Sequence, residues 1–470
     1  MKLLIVEDND EFIIALREIV AQFDSTAQCS FAHSKESASA KIGNEFFDLI
    51  LLDLNIPTVD GAQDGTPAHG HAVFAHSRVV APGTPIIVLT GSSAEEFIPS
   101  LLEHSTKTDV WGGDTPVQMV SFHAKHKLDS FPSLLGTYIF QILKLKDIEL
   151  KRNGINLSDS EDRLVRIFAR RSGGTKVSIF QIGGGLSGAR VFRLKVTNAA
   201  GLLVHHAISK IGPPETIKDE NDRYTRHLAR LRPEATPRKL DVLEHGAKTT
   251  SGVFYGLAEG FDLNMFHQEV NSSEDSEHII NKLERLLSPW VSAGEARKSV
   301  KDIRRSLLND DKYQDIRQYV SWSDKFEELD IQVKWGCSHG DLHGLNILVS
   351  TEGIPVLIDY GDAGESPSCI DPITLELSLF FHPEGPLKDS DWPTPLQANN
   401  WGNLEVYLEG CPCQHFVQAC RKWALNIAAG DREVAAVAYS YLMRQFKYPK
   451  VNKERVLALL NGVKAYYDQT

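Results

Sequence analysis

The chain has 470 residues, of which 42% are hydrophobic and 24% charged, and its formal net charge is −12. This length exceeds what one hydrophobic core usually holds, so we expect two or three domains, and the composition is typical of globular rather than disordered proteins. The acidic balance argues against a general nucleic-acid-binding protein, which would carry a basic face.

The N-terminus passes from one lysine into a short apolar run and then into acidic residues. It lacks the basic region, long apolar core and cleavage site of a signal peptide. No uninterrupted apolar stretch reaches the length that a bilayer requires. We therefore expect a cytoplasmic protein without membrane segments.

Residues 1–135 are predicted to alternate strands and helices. Four apolar runs of strand length follow one another: Lys2–Glu7, Phe47–Asp53, Pro85–Thr90 and Val117–Phe122. Glu11–Phe23 carries apolar residues at helical spacing. Continuous apolar strands separated by helices indicate a parallel sheet covered on both faces. The glycine-containing stretches Val59–Pro85 and Thr106–Pro116 are interpreted as loop insertions.

Acidic residues stand where these strands end. Glu7 and Asp8 follow the first strand, and Asp53 closes the second apolar strand. The C-terminal ends of parallel strands gather along one edge of a doubly wound sheet, where ligands bind. Three carboxylates there need a cation between them, and Mg²⁺ suits a few oxygen ligands completed by water. A carboxylate can also act as a nucleophile and become an aspartyl phosphate.

The order of these pieces resembles the response-regulator receiver family. The matching motifs are Leu3–Asp8, Asp53–Pro57 with Asp60-Gly61, Ile86–Thr90 and a later lysine. The resemblance covers residues 1–135 and implies a flavodoxin-like, doubly wound α/β fold. It also implies a phosphodonor such as a sensor histidine kinase, and allows a dimer formed through this domain.

The resemblance assigns a role to each polar residue at the acidic edge. It implies Mg²⁺ binding by Glu7, Asp8, Asp53 and the Asn55 carbonyl, phosphate acceptance by Asp53, and phosphate sensing by Thr90 and a lysine. We prefer Lys125, because Phe122–Lys125 followed by Leu128 matches the end of the fifth strand in the family. Lys127 is the alternative, since His126 stands where the family usually has proline.

Residues 136–173 are predicted to form a mostly helical linker, in which Ser158–Glu161 is a capped helix start. From residue 174 the pattern changes to antiparallel strands at Val177–Ile182, Arg190–Val196 and Leu202–Ile211, followed by a helix at Ile217–Leu231.

A glycine-rich turn joins the first two of these strands. Glycines let a backbone approach phosphate groups, so the candidate phosphate-binding residues are Gly183, Gly184, Gly185, Ser187 and Gly188. A turn of this kind is often only a hairpin.

Lys210 lies near the end of the third strand and could pair with nucleotide phosphates. Its preferred helix partner is Glu220, and Glu215 is the second choice. A single lysine in a strand is more often only solvated.

The strongest motif is His339–Asn346, with Asp359 thirteen residues after Asn346. Phosphoryl transfer requires neutralised phosphate charge and a polar group that positions the acceptor hydroxyl. Asp341 can accept the hydroxyl hydrogen, while Asn346 and Asp359 can supply oxygens to Mg²⁺. This spacing is the known kinase pattern of an Asp-x-x-x-x-Asn loop and a later metal-binding aspartate.

The glycine hairpin, strand lysine, helix glutamate and His-x-Asp loop occur in the order typical of the protein-kinase-like superfamily. His339–His343 and Ile358–Asp362 are similar to the aminoglycoside and choline phosphotransferases. The resemblance covers residues 174–470 and implies an α+β bilobal fold, with lobes at 174–258 and 259–470.

This second resemblance also implies ligands. ATP or GTP would lie under the glycine-rich loop with its base near Tyr255–Glu259, and Mg²⁺ would accompany it. The acceptor would be a small molecule that the sequence does not identify. The tyrosine after Asp359 and the lack of an Ala-Pro-Glu element make a protein acceptor less expected. A second hypothesis is a signalling scaffold whose kinase-like domain binds nucleotide but catalyses little.

The C-terminal region is predicted to be mainly helical apart from strands at Ile347–Asp359, and Cys413–Asp468 is nearly all helix-forming. It contains no helix-turn-helix with a basic recognition helix. Asp371 opens a helical run, Pro372–Phe380, that carries Glu376. It is either a substrate or lobe-packing contact or, preferably, a helix N-cap with acid in the first turn. Cysteines at positions 411, 413 and 420 with His415 allow a zinc site, but their spacing favours helix packing.

Overall fold

The computed structural model describes residues 1–91, 107–184, 188–233, 236–257, 260–261, 263–266, 273–291 and 294–470. They divide into two compact units, Met1–Lys218 with Lys239–Leu257, and Asp219–Arg238 with Ala258–Thr470. The domain limits at residues 135, 173 and 258 remain a prediction. None of the helices in the described part of the chain is long and apolar enough to cross a membrane.

The first unit begins with a parallel sheet of five described strands in the order β2-β1-β3-β4-β7. These strands are β1 (Lys2–Val6), β2 (Gln28–Ala32), β3 (Leu49–Asp53), β4 (Ile86–Thr90) and β7 (Val120–Ala124). Every neighbouring pair is parallel. A short antiparallel pair, β5 (Lys107–Thr108) and β6 (Val117–Gln118), precedes β7. The doubly wound parallel sheet predicted from the apolar runs is confirmed.

Helices cover both faces of this sheet. They are α1 (Asp10–Phe23), α2 (Lys35–Asn44), α3 (Pro67–Val80) and α4 (Phe131–Leu143). Side chains alternate along each strand: Leu3 and Ile5 pack with α1 and α4, whereas Leu4 and Val6 pack with α2 and α3. A strand buried on both faces needs apolar residues at consecutive positions, which explains the continuous apolar runs.

The interpretation of Val59–Pro85 as a loop insertion is wrong, because most of it is helix α3. The glycines that suggested a loop permit close packing instead. A Cβ at Gly70 would lie 2.2 Å from the Leu54 Cα, so only glycine lets α3 approach the chain after β3. Edge strand β2 and helix α2 were also not predicted, because β2 is mostly half-exposed and α2 is rich in serine and alanine.

A second sheet of the first unit has the described strand order β12-β13-β11-β10-β9-β8. Its strands are β8 (Glu149–Lys151), β9 (Lys176–Gly184), β10 (Arg190–Thr197), β11 (Leu203–Gly212), β12 (Arg238–Leu243) and β13 (Ser251–Leu257). Helix α5 (Asp159–Arg171) packs against it. The prediction of a mostly helical segment at 136–173 missed strand β8, which pairs in parallel with β9.

The two sheets of the first unit share one hydrophobic core. Leu49 and Leu51 of the parallel sheet belong to the same buried cluster as Val177 and Ile179 of the second sheet. Phe168 of α5 lies within this cluster and stacks on Phe254, with ring centroids 4.1 Å apart. Helix α5 therefore connects the predicted receiver domain to the strands that carry the glycine hairpin.

The second unit is mainly helical, as predicted. Its helices are α6 (Pro214–His227), which spans the boundary between the units, α7 (Ser273–Leu287), α8 (Val300–Arg305), α9 (Asp310–Ile316), α10 (Ser323–Glu327), α11 (Ile370–Phe381), α12 (Pro395–Asn399), α13 (Leu404–Tyr407), α14 (Gln414–Ile427), α15 (Asp431–Gln445) and α16 (Lys453–Gln469). The helical tail from residue 413 is confirmed as α14, α15 and α16.

Two small sheets lie among these helices, in the orders β14-β17-β18 and β15-β16-β19. Their strands are β14 (Leu263–Asn264), β15 (Gly294–Ser299), β16 (Asp330–Ser338), β17 (Ile347–Val349), β18 (Pro355–Leu357) and β19 (Gly364–Pro367). The predicted strands near Ile347 are confirmed, but β15, β16 and β19 were not predicted. β15 is largely polar, and β16 alternates buried Ile331 and Val333 with exposed polar residues, which gives only a weak strand signal.

The cysteine cluster has no metal-binding geometry. Among the described residues, the one group of His, Cys, Asp and Glu side chains close enough to hold an ion consists of acidic residues of the first unit. All six cysteines are thiols, and Cys413 and Cys420 lie in the apolar core of the second unit. Their position supports helix packing.

Candidate functional site

Three carboxylates meet at one edge of the parallel sheet. Glu7 and Asp8 follow β1 and Asp53 ends β3, and the two strands are direct neighbours. One oxygen from each side chain lies within 4.8 Å of the others. Glu7 and Asp53 are buried, whereas Asp8 is exposed. The parallel sheet therefore brings together the three acids that the sequence placed at strand ends.

Lys125 follows β7 and points to this acidic group. Its Nζ lies 2.6 Å from Glu7 Oε2 and 2.8 Å from Asp53 Oδ2, and 4.7 Å from the centre of the Phe12 ring. Burial opposes the charge of Lys125, but the carboxylates of Asp53 and Glu7 outweigh it and raise the pKa of the lysine. The side chain of Lys127 is exposed and its carbonyl accepts a hydrogen bond from the His123 ring. Of the two candidate lysines, the structure brings Lys125 to Asp53.

The donor set of this edge fits Mg²⁺. Burial and the neighbouring Asp53 raise the pKa of Glu7 to about 7, although Lys125 acts against them. Asp53 Oδ1 is buried without a hydrogen-bond partner among the described residues. Oxygen ligands and surplus negative charge are what a hard divalent cation requires. Asn55 stands in the chain directly after β3. Thr90 ends β4, and its side chain lies outside the described part of the structure.

The second candidate site is the loop between β16 and β17. The buried carboxylate of Asp371 accepts hydrogen bonds from the backbone N–H groups of His339, at 2.8 Å, and Gly340, at 3.0 Å. Gly340 has a φ of 79°, and a Cβ there would lie 2.5 Å from the Asp362 carbonyl oxygen. Asp371 on α11 therefore fixes the start of the loop that carries Asp341.

Hydrogen bonds hold the segment of Asp359, which follows β18, next to the loop that carries Asp341 and Asn346. The Asn346 amide nitrogen donates to the Asp341 carbonyl at 3.0 Å, which leaves the Asn346 side-chain oxygen for another ligand. The Ile358 N–H donates to the Asn346 carbonyl at 3.0 Å. Asp359 is the next residue in the chain, so its backbone lies close to Asn346. Asp359 itself has a φ of 64°, an uncommon conformation for a residue other than glycine. Two carboxylates and an amide oxygen on these neighbouring segments are the residue types of a Mg²⁺–phosphate site.

Asp341 has two cationic or polar neighbours that the sequence did not predict. Both terminal nitrogens of Arg444, on α15, lie 3.5 Å from Asp341 Oδ1. His343 Nε2 lies 3.7 Å from Oδ2, and the His343 ring centre is 4.4 Å from that of His382. Burial lowers the pKa of His343, and it lowers that of His382 to about 4. Both imidazoles are therefore neutral near pH 7.

Asp371 does not cap its own helix. The predicted N-cap is wrong, because helix α11 has Cys369 at its N-cap without a side-chain hydrogen bond, and Asp371 lies in the first turn. Its carboxylate instead holds the loop of Asp341. Glu376 is fully buried, and its oxygens pair with Arg421 and the Trp401 N–H, which gives it a packing role.

We expect Asp371→Ala to lower both stability and nucleotide turnover. Two buried N–H groups would lose their acceptor, which costs about 2–4 kcal/mol of unfolding free energy, and the loop of Asp341 would lose its anchor. Urea unfolding and ATP consumption measure the two effects. Asp389→Ala, at an exposed position, is the matched control. Unchanged turnover in the Asp371 variant would show that the loop keeps its shape without this carboxylate.

The glycine-rich turn is described only at its ends. Gly183 and Gly184 close β9, and Gly188 has a φ of 74°. Gly185 and Ser187 lie outside the described residues.

Arg190 anchors the start of β10 next to the glycine turn. Its Nη1 lies 2.8 Å from Glu161 Oε2 on α5 and 3.0 Å from the Asn156 carbonyl, while its Nη2 lies 3.1 Å from Gln181 Oε1. The hairpin is therefore fixed to the helix that also packs on the parallel sheet.

Lys210 is buried in β11, in register with Val191 on one side and Val253 on the other. Glu220 is buried on α6. Their mutual pairing, and the alternative with Glu215, remain predictions. Tyr255 is buried in β13, whereas Glu259 lies outside the described residues.

Comparison with known proteins assigns the first part of the chain. The family model described as "Response regulator receiver domain" matches residues 3–108, so this segment is a receiver domain. No curated protein matches the chain.

Several solved structures resemble parts of the chain. A CheY-like receiver domain protein from Methanospirillum hungatei JF-1 is 23% identical, and the match covers 30% of this chain and 97% of that one with a TM-score of 0.21. The receiver domain of a sensor histidine kinase from Pseudomonas aeruginosa PAO1, with a magnesium ion in its active-site cleft, is 18% identical, with coverages of 30% and 97% and a TM-score of 0.22. The apo form of a thermostable mutant of aminoglycoside phosphotransferase APH(4)-Ia is 12% identical, with coverages of 60% and 93% and a TM-score of 0.33.

A ternary complex of the same phosphotransferase with ADP and hygromycin B is 10% identical, with coverages of 60% and 93% and a TM-score of 0.35. The parallel sheet of the first unit is the doubly wound α/β fold predicted for the receiver segment, and the second unit combines helices with small antiparallel sheets, as an α+β fold does.

Proposed function

We propose that this chain, a receiver domain at residues 3–108 followed by a kinase-like fold, is a phosphotransferase regulated by phosphorylation of Asp53. ATP or GTP with Mg²⁺ would be the phosphoryl donor, and the hydroxyl group of a small molecule the acceptor. The observation that carries the proposal is that hydrogen bonds hold the segment of Asp359 next to the loop of Asp341 and Asn346.

The proposed reaction uses each residue of this cluster. The acceptor oxygen forms a bond to the γ-phosphorus as the bond from that phosphorus to the β,γ-bridging oxygen breaks. The nucleoside diphosphate leaves, and the hydroxyl proton passes to the carboxylate of Asp341. Asn346 and Asp359 would hold Mg²⁺, which supplies positive charge that neutralises the phosphates.

The receiver domain would supply the control. Asp53 would accept a phosphoryl group from a sensor histidine kinase or another phosphodonor, with Glu7, Asp8 and the Asn55 carbonyl holding Mg²⁺. Phosphorylation would place negative charge beside Lys125, which already pairs with Asp53 at 2.8 Å. Such a local change affects a distant site when an element between the two sites has two alternative packings and the change favours one of them.

Close contacts within the first unit support this coupling. The N–H of Gly83, before β4, donates to the Lys248 carbonyl at 2.8 Å, and the N–H of Gly246 donates to the Gly83 carbonyl at 2.7 Å. Arg171 at the end of α5 pairs with Asp241 of β12 at 3.1 Å and approaches Asp109 at 3.6 Å. A shift near β4 would therefore reach the sheet of the glycine hairpin.

A screen of small hydroxyl compounds tests the proposed reaction. ATP consumption by the full chain would be measured with each compound, with and without beryllium fluoride as a phosphate mimic on Asp53. We expect one class of compound to stimulate turnover, and the mimic to change the rate. Nucleotide binding without turnover under every condition would favour the alternative, a signalling scaffold with a catalytically weak kinase-like domain.

Asp53→Asn is expected to abolish labelling of the chain by a small phosphodonor such as acetyl phosphate. The amide cannot act as the nucleophile that becomes an aspartyl phosphate. Intact mass spectrometry measures the incorporated phosphate. Asp129→Asn, at an exposed position after β7, should be labelled like the wild type. Equal labelling of the Asp53 variant would show that another residue accepts the phosphoryl group.

A further inference from the structure

Arg444 differs from the two fully buried arginines of the second unit. Arg421 holds both oxygens of Glu376, with its closest nitrogen–oxygen distances at 2.7 and 3.0 Å, and Arg304 holds both oxygens of Glu327 at 2.9 and 3.0 Å. These are the paired, short contacts of a structural arginine. Arg444 instead directs two nitrogens at one oxygen of Asp341, each at 3.5 Å.

The position of Arg444 makes these long contacts informative. Only 15% of its side chain is exposed, so water solvates its charge much less than it would at the surface. A guanidinium carries five N–H donors in a planar fork, and 3.5 Å lies at the limit of a hydrogen bond. Much of the donor capacity of Arg444 is therefore available to a ligand that enters beside Asp341.

The guanidinium of Arg444 is suited to an anionic ligand, although Asp341 and Asp362 both place negative charge near it. An arginine fork matches the oxygens of a phosphate group in spacing and plane. The two nearest imidazoles, His343 and His382, bring no negative charge. The carboxylate of Asp341 uses one of its two oxygens for Arg444 and approaches His343 with the other, so the hydroxyl position and the anion position lie next to each other.

We propose that Arg444 binds a phosphoryl group beside Asp341 and so forms the anion-binding part of this site. The inference rests on the proposed phosphotransferase function, which it extends with a residue outside the His339–Asn346 loop. The phosphoryl group has two chemical sources: the γ-phosphoryl group of the nucleotide, or a phosphate that the acceptor itself carries next to its hydroxyl.

The test measures binding of inorganic phosphate to the full chain saturated with ADP and Mg²⁺, by isothermal titration calorimetry. We expect Arg444→Met to weaken phosphate binding by about 10- to 100-fold, the range for a lost charge-assisted hydrogen bond. Arg444→Lys should retain part of the affinity, because it keeps the charge but not the fork. Equal phosphate affinity in the wild type and Arg444→Met, or no phosphate binding by the wild type, would overturn the proposal.

A second pair of titrations distinguishes the two sources. If Arg444→Met weakens binding of a non-hydrolysable ATP analogue but not of ADP, the ligand is the γ-phosphoryl group. If both nucleotides bind as they do to the wild type while inorganic phosphate binds more weakly, the ligand is a phosphate of the acceptor. Either result supports the anion site.

Controls separate binding from folding and from the reaction. Arg432→Met changes an exposed arginine on the same helix and should leave every affinity unchanged. Thermal unfolding of Arg444→Met shows whether the variant is folded, and Arg444→Lys provides the measurement if it is not. If the chain catalyses no phosphoryl transfer but Arg444→Met still weakens phosphate binding, the proposed reaction is refuted and the anion site is supported.

Discussion

Asp359→Asn is expected to abolish metal-dependent nucleotide turnover while leaving the fold intact. Asparagine adopts the left-handed backbone conformation more readily than most residues, so it suits the φ of 64° at this position. What it removes is the negative charge that would bind Mg²⁺ next to Asn346. Because a bound metal contributes several kcal/mol to transition-state stabilisation, turnover should fall more than about 100-fold. ATP consumption over a range of Mg²⁺ concentrations measures this effect.

The same experiment needs a matched surface substitution. Asp315→Asn makes the identical chemical change at a side chain that is 69% exposed, and its turnover should equal that of the wild type. Circular dichroism and thermal unfolding verify the fold of both variants. Wild-type turnover in Asp359→Asn would contradict the role given to this carboxylate.

Arg421→Met is expected to cause a large loss of stability in the second unit. The variant leaves Glu376 charged and fully buried without its partner, and breaking such a pair costs about 3–5 kcal/mol. Arg421 also lies 3.6 Å from the centre of the Trp401 ring, a contact that the variant removes. Urea unfolding followed by tryptophan fluorescence measures the change.

A double variant shows whether the lost partner is the cause. Replacing Glu376 by leucine together with Arg421→Met removes both charges, so most of the lost stability should return. Arg432→Met on the neighbouring helix changes an exposed arginine that lies 5.2 Å from the centre of the Tyr467 ring, and should alter the free energy of unfolding by at most about 1 kcal/mol. A single variant that loses less than about 1 kcal/mol would mean that Glu376 becomes neutral or finds another partner.

Sequence reasoning succeeded where a residue's role depends on its place at the end of an element. Apolar strands that end in Glu7 or Asp53 define the parallel sheet and its acidic edge together, because strand direction determines where the ends lie. The loop of Asp341 and Asn346 could be predicted in the same way, since its function lies in a fixed local spacing.

Sequence reasoning failed where distant contacts decide. Helix α3 has glycine where it approaches Leu54, and a contact of this kind is not visible in the composition of Val59–Pro85. Arg444 reaches Asp341 across 103 residues of chain, and its helix showed only an amphipathic pattern. The signal that could have found it is a charged residue on a helix whose neighbouring positions are almost all buried.

The parallel sheet shares its core with the six described strands of the second sheet. This shared core limits where the chain could be shortened. A cut after residue 135 or 173 would divide this core between two fragments. Phe168, Leu51 or Val177 would then face water on the fragment that contained it. Such a fragment would expose contiguous apolar surface and be prone to aggregate. We therefore expect the receiver domain to be stable only together with the strands of the second sheet, β8 to β13.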